Sequence, residues 1–271
     1  MNIVSFSALS ELNIRRIWSL VEEPHASMSS NVAWSFEGNG IRTRTTFIRA
    51  FRELEMQFTE LPNLLKTQER VVDLAGYLDP FFDLYVIRDT NHERLEAFAE
   101  ASSRPVINAM SAGGHPCEVL TDAFYLDRKF KSLKNTHVCL WGPTTNVFRS
   151  WHEIAAVLKI TLTQVCEERF HEQHEHVEFR TAPPSHADVV ITDAWPTGAD
   201  SSSLALSDRH LAAMGSPALL PTPPFTIGRE VLLDPVAYSG FVGYEQKKLL
   251  LPVQKAILRF ATEASQETPR K

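Results

Sequence analysis

The sequence predicts an α/β protein of two domains, each a parallel sheet flanked by helices, with a C-terminal helix packing back on the first domain. Short apolar runs rich in β-branched and aromatic residues alternate with stretches of helical period. A polar segment splits that alternation into two similar halves, and the last strong pattern is an amphipathic helix.

The apolar runs lie at residues 32–36, 84–87, 105–108, 138–141 and 188–192, and each reads as a buried strand. Phe47, Ala50, Phe51 and Leu54 recur at i, i+3, i+4 and i+7, so the segment after Arg44 is expected to be a helix with one buried face. The same spacing recurs at Val71, Leu74, Ala75 and Leu78, and at Trp151, Ile154, Ala155 and Leu158. The polar stretch 127–135 ends one helix and precedes a strand, which predicts domains at 1–134 and 135–245. In the remainder, 246–271, Leu250, Val253, Ile257 and Phe260 predict the returning helix. After residue 195 the chain turns rich in Gly, Ser, Ala and Pro, notably at 198–203 and 221–224, which predicts a mobile loop of the kind that covers a site.

A chain of 271 residues that is 44% hydrophobic can bury a substantial core, and a net charge of -6 gives no basic surplus for nucleic acid. The first residues lack a basic stretch followed by an apolar run, and no run reaches a membrane-spanning length, so a cytoplasmic protein without a membrane partner is expected. Cys117, Cys139 and Cys166 are too irregularly spaced for a disulfide framework or a CxxC metal site and read as buried thiols. His171, His174 and His176 sit in a hydrophilic stretch without HExxH spacing, so no metal is expected there.

The informative segment is Phe36-Glu37-Gly38-Asn39-Gly40-Ile41-Arg42-Thr43-Arg44, between a predicted strand and a predicted helix. Helix starts expose backbone N–H groups and the positive end of the helix dipole, so anions bind there. Basic side chains are disfavoured at that end unless an anion joins them, and here the sequence has Arg42 and Arg44. The segment therefore reads as an anion cradle, with Gly38 and Gly40 permitting a tight backbone.

Read on through Thr46-Phe47, these residues resemble the Ser-Thr-Arg-Thr-Arg signature of the aspartate/ornithine carbamoyltransferase family. Further landmarks follow in order. Glu69-Arg70-Val71-Val72-Asp73 is similar to the family's Glu-Ser-x-x-Asp-Thr helix start, and Val86-Ile87-Arg88 to a strand end that carries a ligand arginine. Asn108 and His115-Pro116-Cys117-Glu118 resemble the Val-Ile-Asn and His-Pro-x-Gln motifs. In the second half, Gly142 to Ser150 resembles Gly-x-x-x-Asn-Val-x-x-Ser, and Asp188 to Trp195 resembles Asp-Val-x-x-Thr-Asp-x-Trp.

The resemblance implies an enzyme that moves the carbamoyl group of carbamoyl phosphate to a small amine or amino-acid acceptor, without cofactor or metal, in a homotrimer with shared sites. It implies that Gly40, Ile41, Arg42, Thr43 and Arg44 hold the phosphate, and that Arg88 and His115 face the carbamoyl oxygen. Asn146, Asp193 and Leu220 would meet the acceptor. Lys66, in the place of a loop that in the family reaches a neighbouring subunit, would add positive charge across the interface.

The chain also departs from the pattern. Gly40 and Ile41 replace a Ser and a Thr, removing two hydroxyl donors. Glu118 replaces a Gln and is open to three roles: acceptor for the carbamoyl amide, a protonated carboxyl, or base for the attacking amine. Ala218-Leu219-Leu220-Pro221-Thr222 stands where the family has His-Cys-Leu-Pro-Arg or His-Pro-Leu-Pro-Arg, and Pro196-Thr197-Gly198 replaces the ornithine enzymes' Ser-Met-Gly loop. These losses point away from ornithine toward another amine-bearing acceptor, and they leave two alternatives: an inactive ligand-binding paralogue, or a transferase with a related phosphorylated donor.

Overall fold

A computed structural model describes residues 1–24, 27–199 and 204–267. The chain divides into two compact units, Met1–Thr121 with Leu249–Lys271, and Asp122–Lys248.

In the first unit, α1 (Glu11–Glu22) precedes β1 (Asn31–Phe36), α2 (Ile41–Glu53), β2 (Gln57–Glu60), α3 (Val71–Leu78), β3 (Leu84–Arg88), α4 (His92–Ala101), β4 (Val106–Met110) and the start of α5 (Pro116–Lys129). The four strands are parallel in the order β2-β1-β3-β4. Residues 32–36 of β1 are all buried, as a parallel sheet covered by helices requires. The last helix, α9 (Leu250–Glu267), packs on α1 and α2. Burial of Val253, Ala256, Ile257 and Phe260 drives that packing, and the Arg259 guanidinium donates to the Leu20 carbonyl at 3.1 Å while Lys255 pairs with Glu53 at 2.8 Å.

The second unit holds β5 (Val138–Trp141), α6 (Asn146–Leu158), β6 (Leu162–Val165), β7 (Val177–Arg180), β8 (Val189–Thr192), α7 (Asp208–Ala213), β9 (Ala218–Pro221) and α8 (Gly243–Lys248). Its sheet is parallel throughout, in the order β7-β6-β5-β8-β9. Its core gathers Trp141, Val165, Val190, Leu219 and Val231.

Each predicted apolar run is a strand, namely β1, β3, β4, β5 and β8. β2, β6, β7 and β9 escaped the sequence reading for physical reasons. β2 and β7 are sheet edges with charged or polar side chains, β6 interposes Thr163 and Gln164, and β9 ends in Pro221. The units divide between Thr121 and Asp122, inside α5, whereas the polar segment that suggested residue 134 only terminates this helix. Of the covering loop read at 198–203, residues 200–203 lie outside the described residues.

The two sheets share a connection pattern. β1 leads through α2 to β2 on one side, while β3, on its other side, leads through α4 to β4; β5 and β8 do the same with α6 and α7. In such sheets ligands bind beyond the strand C-termini, where the strand order reverses. The rule selects the loops after β1 and β3 in one unit, and those after β5 and β8 in the other.

Candidate active site

The loop after β1 ends at Gly40, the N-cap of α2, in the left-handed region at φ 31°. A methyl group there would stand 2.5 Å from the Phe36 ring and 3.0 Å from Arg88 Cζ, so the position demands glycine. Gly40 supplies no side-chain cap, and the first turn carries no acidic residue. Gly40 thus offers the early N–H groups of α2 no side-chain acceptor of its own.

Two guanidiniums meet on one ring: Arg44 Cζ lies 4.8 Å and Arg88 Cζ 5.2 Å from the centroid of Phe36, which is itself stacked on Trp34. Each gains from the ring's negative face, yet the pair repels, which favours an anion between them. Burial pushes Arg88 below its ordinary value; the Glu37 charge raises it and the nearby Arg42 charge lowers it further. Thr43 is buried, Arg42 is exposed, and Ile41, where a hydroxyl is missing, is 70% exposed.

Carboxylates answer this charge, and only part of that was legible in sequence. Arg44 pairs with Glu60 on β2 at 2.9 Å. Lys66 pairs with Asp89 at 2.9 Å and Glu37 at 3.3 Å, contacts that raise its pKa, the Asp89 hydrogen bond most. Glu37 lies below the usual carboxylate range, chiefly because the Thr90 backbone N–H donates to it at 2.6 Å. Within one chain, therefore, Lys66 is held on its own unit's carboxylates. The sequence reading had Lys66 adding charge across an interface with a neighbour, and Asp89, one residue beyond Arg88 at the end of β3, is a partner which that reading did not name.

His115 and Glu118 sit at the start of α5, on the loop that follows β4. The His115 carbonyl accepts from the Glu118 and Val119 N–H groups, each at 3.2 Å, and both side chains are buried, Glu118 at 5% exposure. Buried Asn108 shapes this loop: its amide donates to the carbonyls of Val4 at 3.0 Å and Gly114 at 3.3 Å, and to Ser111 Oγ at 3.0 Å. Because β4 neighbours β3, His115 and Glu118 share the sheet edge that carries Arg88. The first-unit residues named from the sequence thus collect at one edge.

In the second unit, Asn146 is the first residue of α6, capped by Thr145, whose hydroxyl accepts from Phe148 N–H at 3.2 Å. Asp193 is buried directly after β8. Leu220, by contrast, lies inside β9 opposite Ile191 and is 2% exposed, so its side chain belongs to the core. The reason is that residues 218–221 form a strand which the sequence reading had treated as part of a binding segment.

A cavity of about 340 Å³ opens at this edge, lined among others by Thr144, Arg149, Arg169, His171 and Pro196. Neither Asn146 nor Asp193 lines it, and Arg149 and Arg169 were not singled out from sequence. Arg149 stands one helical turn beyond Asn146, the spacing that was available as a signal. Buried His152, held below its ordinary value chiefly by burial, meets Gln164 Oε1 at 2.6 Å; the Gln164 amide in turn donates to the Gly142 carbonyl at 3.0 Å and Thr144 Oγ1 at 3.2 Å. This relay fixes one wall of the cavity. Gly142, at φ 127°, leaves no room for a side chain because a Cβ would stand 2.4 Å from Trp195 Nε1.

Residues 5–128 match the carbamoyl-P binding domain of aspartate/ornithine carbamoyltransferases. That match covers a little under half of the chain, and over it the chain is similar to this family. It is similar to the ornithine carbamoyltransferase of Shewanella oneidensis, at 32% identity over 148 residues, 54% of this chain and 49% of that protein. The match therefore spans about half that relative's length. A second relative, the ornithine carbamoyltransferase of Methanococcus vannielii, is 27% identical over 270 residues, covering 86% of this chain and 87% of that protein. Among solved structures, that of ornithine carbamoyltransferase from Pyrococcus furiosus superposes with a TM-score of 0.88 at 20% identity, covering 97% of each chain. The enzyme from Thermus thermophilus gives 0.87 at 22% identity, covering 96% of this chain and 98% of that one. These superpositions establish the fold: two parallel sheets flanked by helices. No helix among the described residues is long and apolar enough to cross a membrane.

Proposed function

We propose that this chain transfers the carbamoyl group of carbamoyl phosphate to the amine of a small amino-acid-like acceptor and releases phosphate. One observation carries the reading: Arg44 and Arg88 share the Phe36 ring at the uncapped start of α2, with Arg42 in the same turn. Glu60 and Glu37 offset part of this like charge, and a phosphate dianion would match the remainder together with the forked guanidinium donors.

In this reading Arg42, Thr43, Arg44 and the first N–H groups of α2 hold the phosphate. Arg88 and His115 direct donors at the carbamoyl oxygen, where negative charge grows as the tetrahedral transition state forms. Glu118, buried beside His115, accepts from the carbamoyl amide. The acceptor's amine attacks in its uncharged form; the new C–N bond forms, the C–O bond to phosphate breaks, and the amine's proton goes to the departing phosphate. Asn146 and Asp193 engage the acceptor's amino-acid groups, and the cavity edged by Arg149 and Arg169 receives its remaining arm. No covalent intermediate is needed, because phosphate leaves readily once its charge is compensated. A homotrimer is the expected assembly, measurable by light scattering.

The test is to incubate purified protein with carbamoyl phosphate and a panel of diamino acids, acidic amino acids and simple amines, measuring phosphate release and ureido product. Amine-dependent release with at least one member is expected; none across the panel would sink the reading and leave a ligand-binding role.

A further inference from the structure

The N-terminal edge of the second sheet, at the end opposite the loops that form the cavity, brings together side chains that the transfer reaction does not use. His137 immediately precedes β5 and Asp188 immediately precedes β8, and the register Val138↔Val189 sets them side by side on neighbouring parallel strands. Two backbone-linked bonds lock the pair. The Asp188 N–H donates to the His137 carbonyl at 3.0 Å, and the His137 N–H donates to Asp188 Oδ2 at 2.8 Å. His186 adds a third donor, with Nε2 3.3 Å from the other carboxylate oxygen, Oδ1. The two imidazole centroids lie 5.4 Å apart with the rings at 69°, an edge-to-face arrangement.

We propose that His137, His186 and Asp188 bind a divalent transition-metal ion of the Zn²⁺ type. One ligand atom from each residue lies within 4.8 Å of the others. Donors sharing a zinc ion at about 2.0–2.2 Å each stand closer than that, so the rings must rotate inward. Both imidazoles are exposed and have the freedom to do so. Two imidazole nitrogens and one carboxylate oxygen suit Zn²⁺, Ni²⁺ or Cu²⁺ rather than Mg²⁺ or Ca²⁺, which prefer all-oxygen sites. The His137 N–H bond to Oδ2 is the kind of outer contact that orients a carboxylate ligand and leaves its second oxygen for the ion. Solvent supplies the fourth ligand at this open position.

A bound ion would tie together the beginnings of β5 and β8, the strands whose far ends carry Gly142 and Asp193. It would stabilise the second unit without touching the reacting groups. The site stands independently of the carbamoyl-transfer reading.

The test uses the full chain, treated with chelator and titrated with Zn²⁺ by calorimetry, together with its thermal midpoint with and without Zn²⁺. Saturable binding is expected, with a rise in midpoint by linkage. His186→Ala and Asp188→Asn should each weaken binding by at least about tenfold and remove most of the midpoint rise, whereas the triple variant His171→Ala/His174→Ala/His176→Ala should bind as the parent does. Asp188→Asn keeps an oxygen for the His137 N–H, so it separates loss of a ligand from loss of the local fold. Absence of Zn²⁺ binding by the parent, or parental affinity in both His186→Ala and Asp188→Asn, overturns the proposal.

Discussion

The starts of α2 and α6 occupy equivalent places, each following the strand at which its sheet changes direction, yet they are built in opposite ways. α2 begins at Gly40 with no side-chain cap and with arginines in its first turn, whereas α6 begins at Thr145, whose hydroxyl takes the Phe148 N–H. One start has no side-chain cap and gathers positive charge; the other is capped by Thr145 and carries Asn146 and, a turn later, Arg149. The contrast teaches that a shared topology fixes where a ligand sits, while capping and charge decide what kind of ligand it is.

The largest expected effect is at the open start. Arg42→Ala should weaken binding of a phosphonate analogue of carbamoyl phosphate by about 100-fold or more, since a charge-assisted pair contributes roughly 1.5–3 kcal/mol and the dipole of α2 adds to it. Unchanged affinity by calorimetry would place the anion elsewhere and break the comparison. Next comes Gly40→Ala, which introduces a Cβ at 2.5 Å from Phe36 and 3.0 Å from Arg88. It should lower both thermal stability, by about 1–2 kcal/mol, and analogue affinity, because Arg88 must move.

At the closed start, Thr145→Ala should cost about 1 kcal/mol of stability in denaturant unfolding and leave analogue affinity unchanged. A drop in affinity equal to that of Gly40→Ala would erase the distinction drawn between the two helix starts. The smallest effect concerns Glu60, which pairs with Arg44 at 2.9 Å. Glu60→Gln should tighten analogue binding about two- to threefold, in keeping with the modest worth of a partly exposed ion pair.

Acid should also separate the two units. His152 is held below its ordinary value by burial, so its neutral form contributes stability that is complete above about pH 6.5 and is lost as pH falls toward its lower folded value. Glu37 is likewise depressed, but its contribution is present above about pH 4.3 and fades only below that. Hydrogen exchange, corrected for intrinsic rates, should show the second unit loosening as pH falls below about 6.5 while the first holds. Simultaneous loosening would count against His152 as the acid-sensitive group.

The charged start of α2 was legible because its chemistry is written in consecutive residues. A strand, two glycines and two arginines before an amphipathic run place positive charge at a helix start by local geometry alone. The cavity residues were harder to read. Arg169 and His171 lie between β6 and β7, two strands the sequence did not reveal as such, and they meet Thr144 and Pro196 only after parallel strands distant in sequence pair. Leu220 shows a different limit: a motif position suggested contact with a ligand, whereas strand pairing with β8 buries its side chain in the core.

By itself the sequence determined the α/β class, the five apolar strands, the closing helix and the charge at the start of α2, because periodicity, burial and helix-end electrostatics act over a few residues. Only the tertiary structure decided which carboxylates answer that charge. Lys66 is turned onto Asp89 and Glu37, and Arg44 onto Glu60, by parallel pairing of β1 with both β2 and β3. Ion pairs fall off within a few ångströms, and no local pattern records which distant strand will supply the partner.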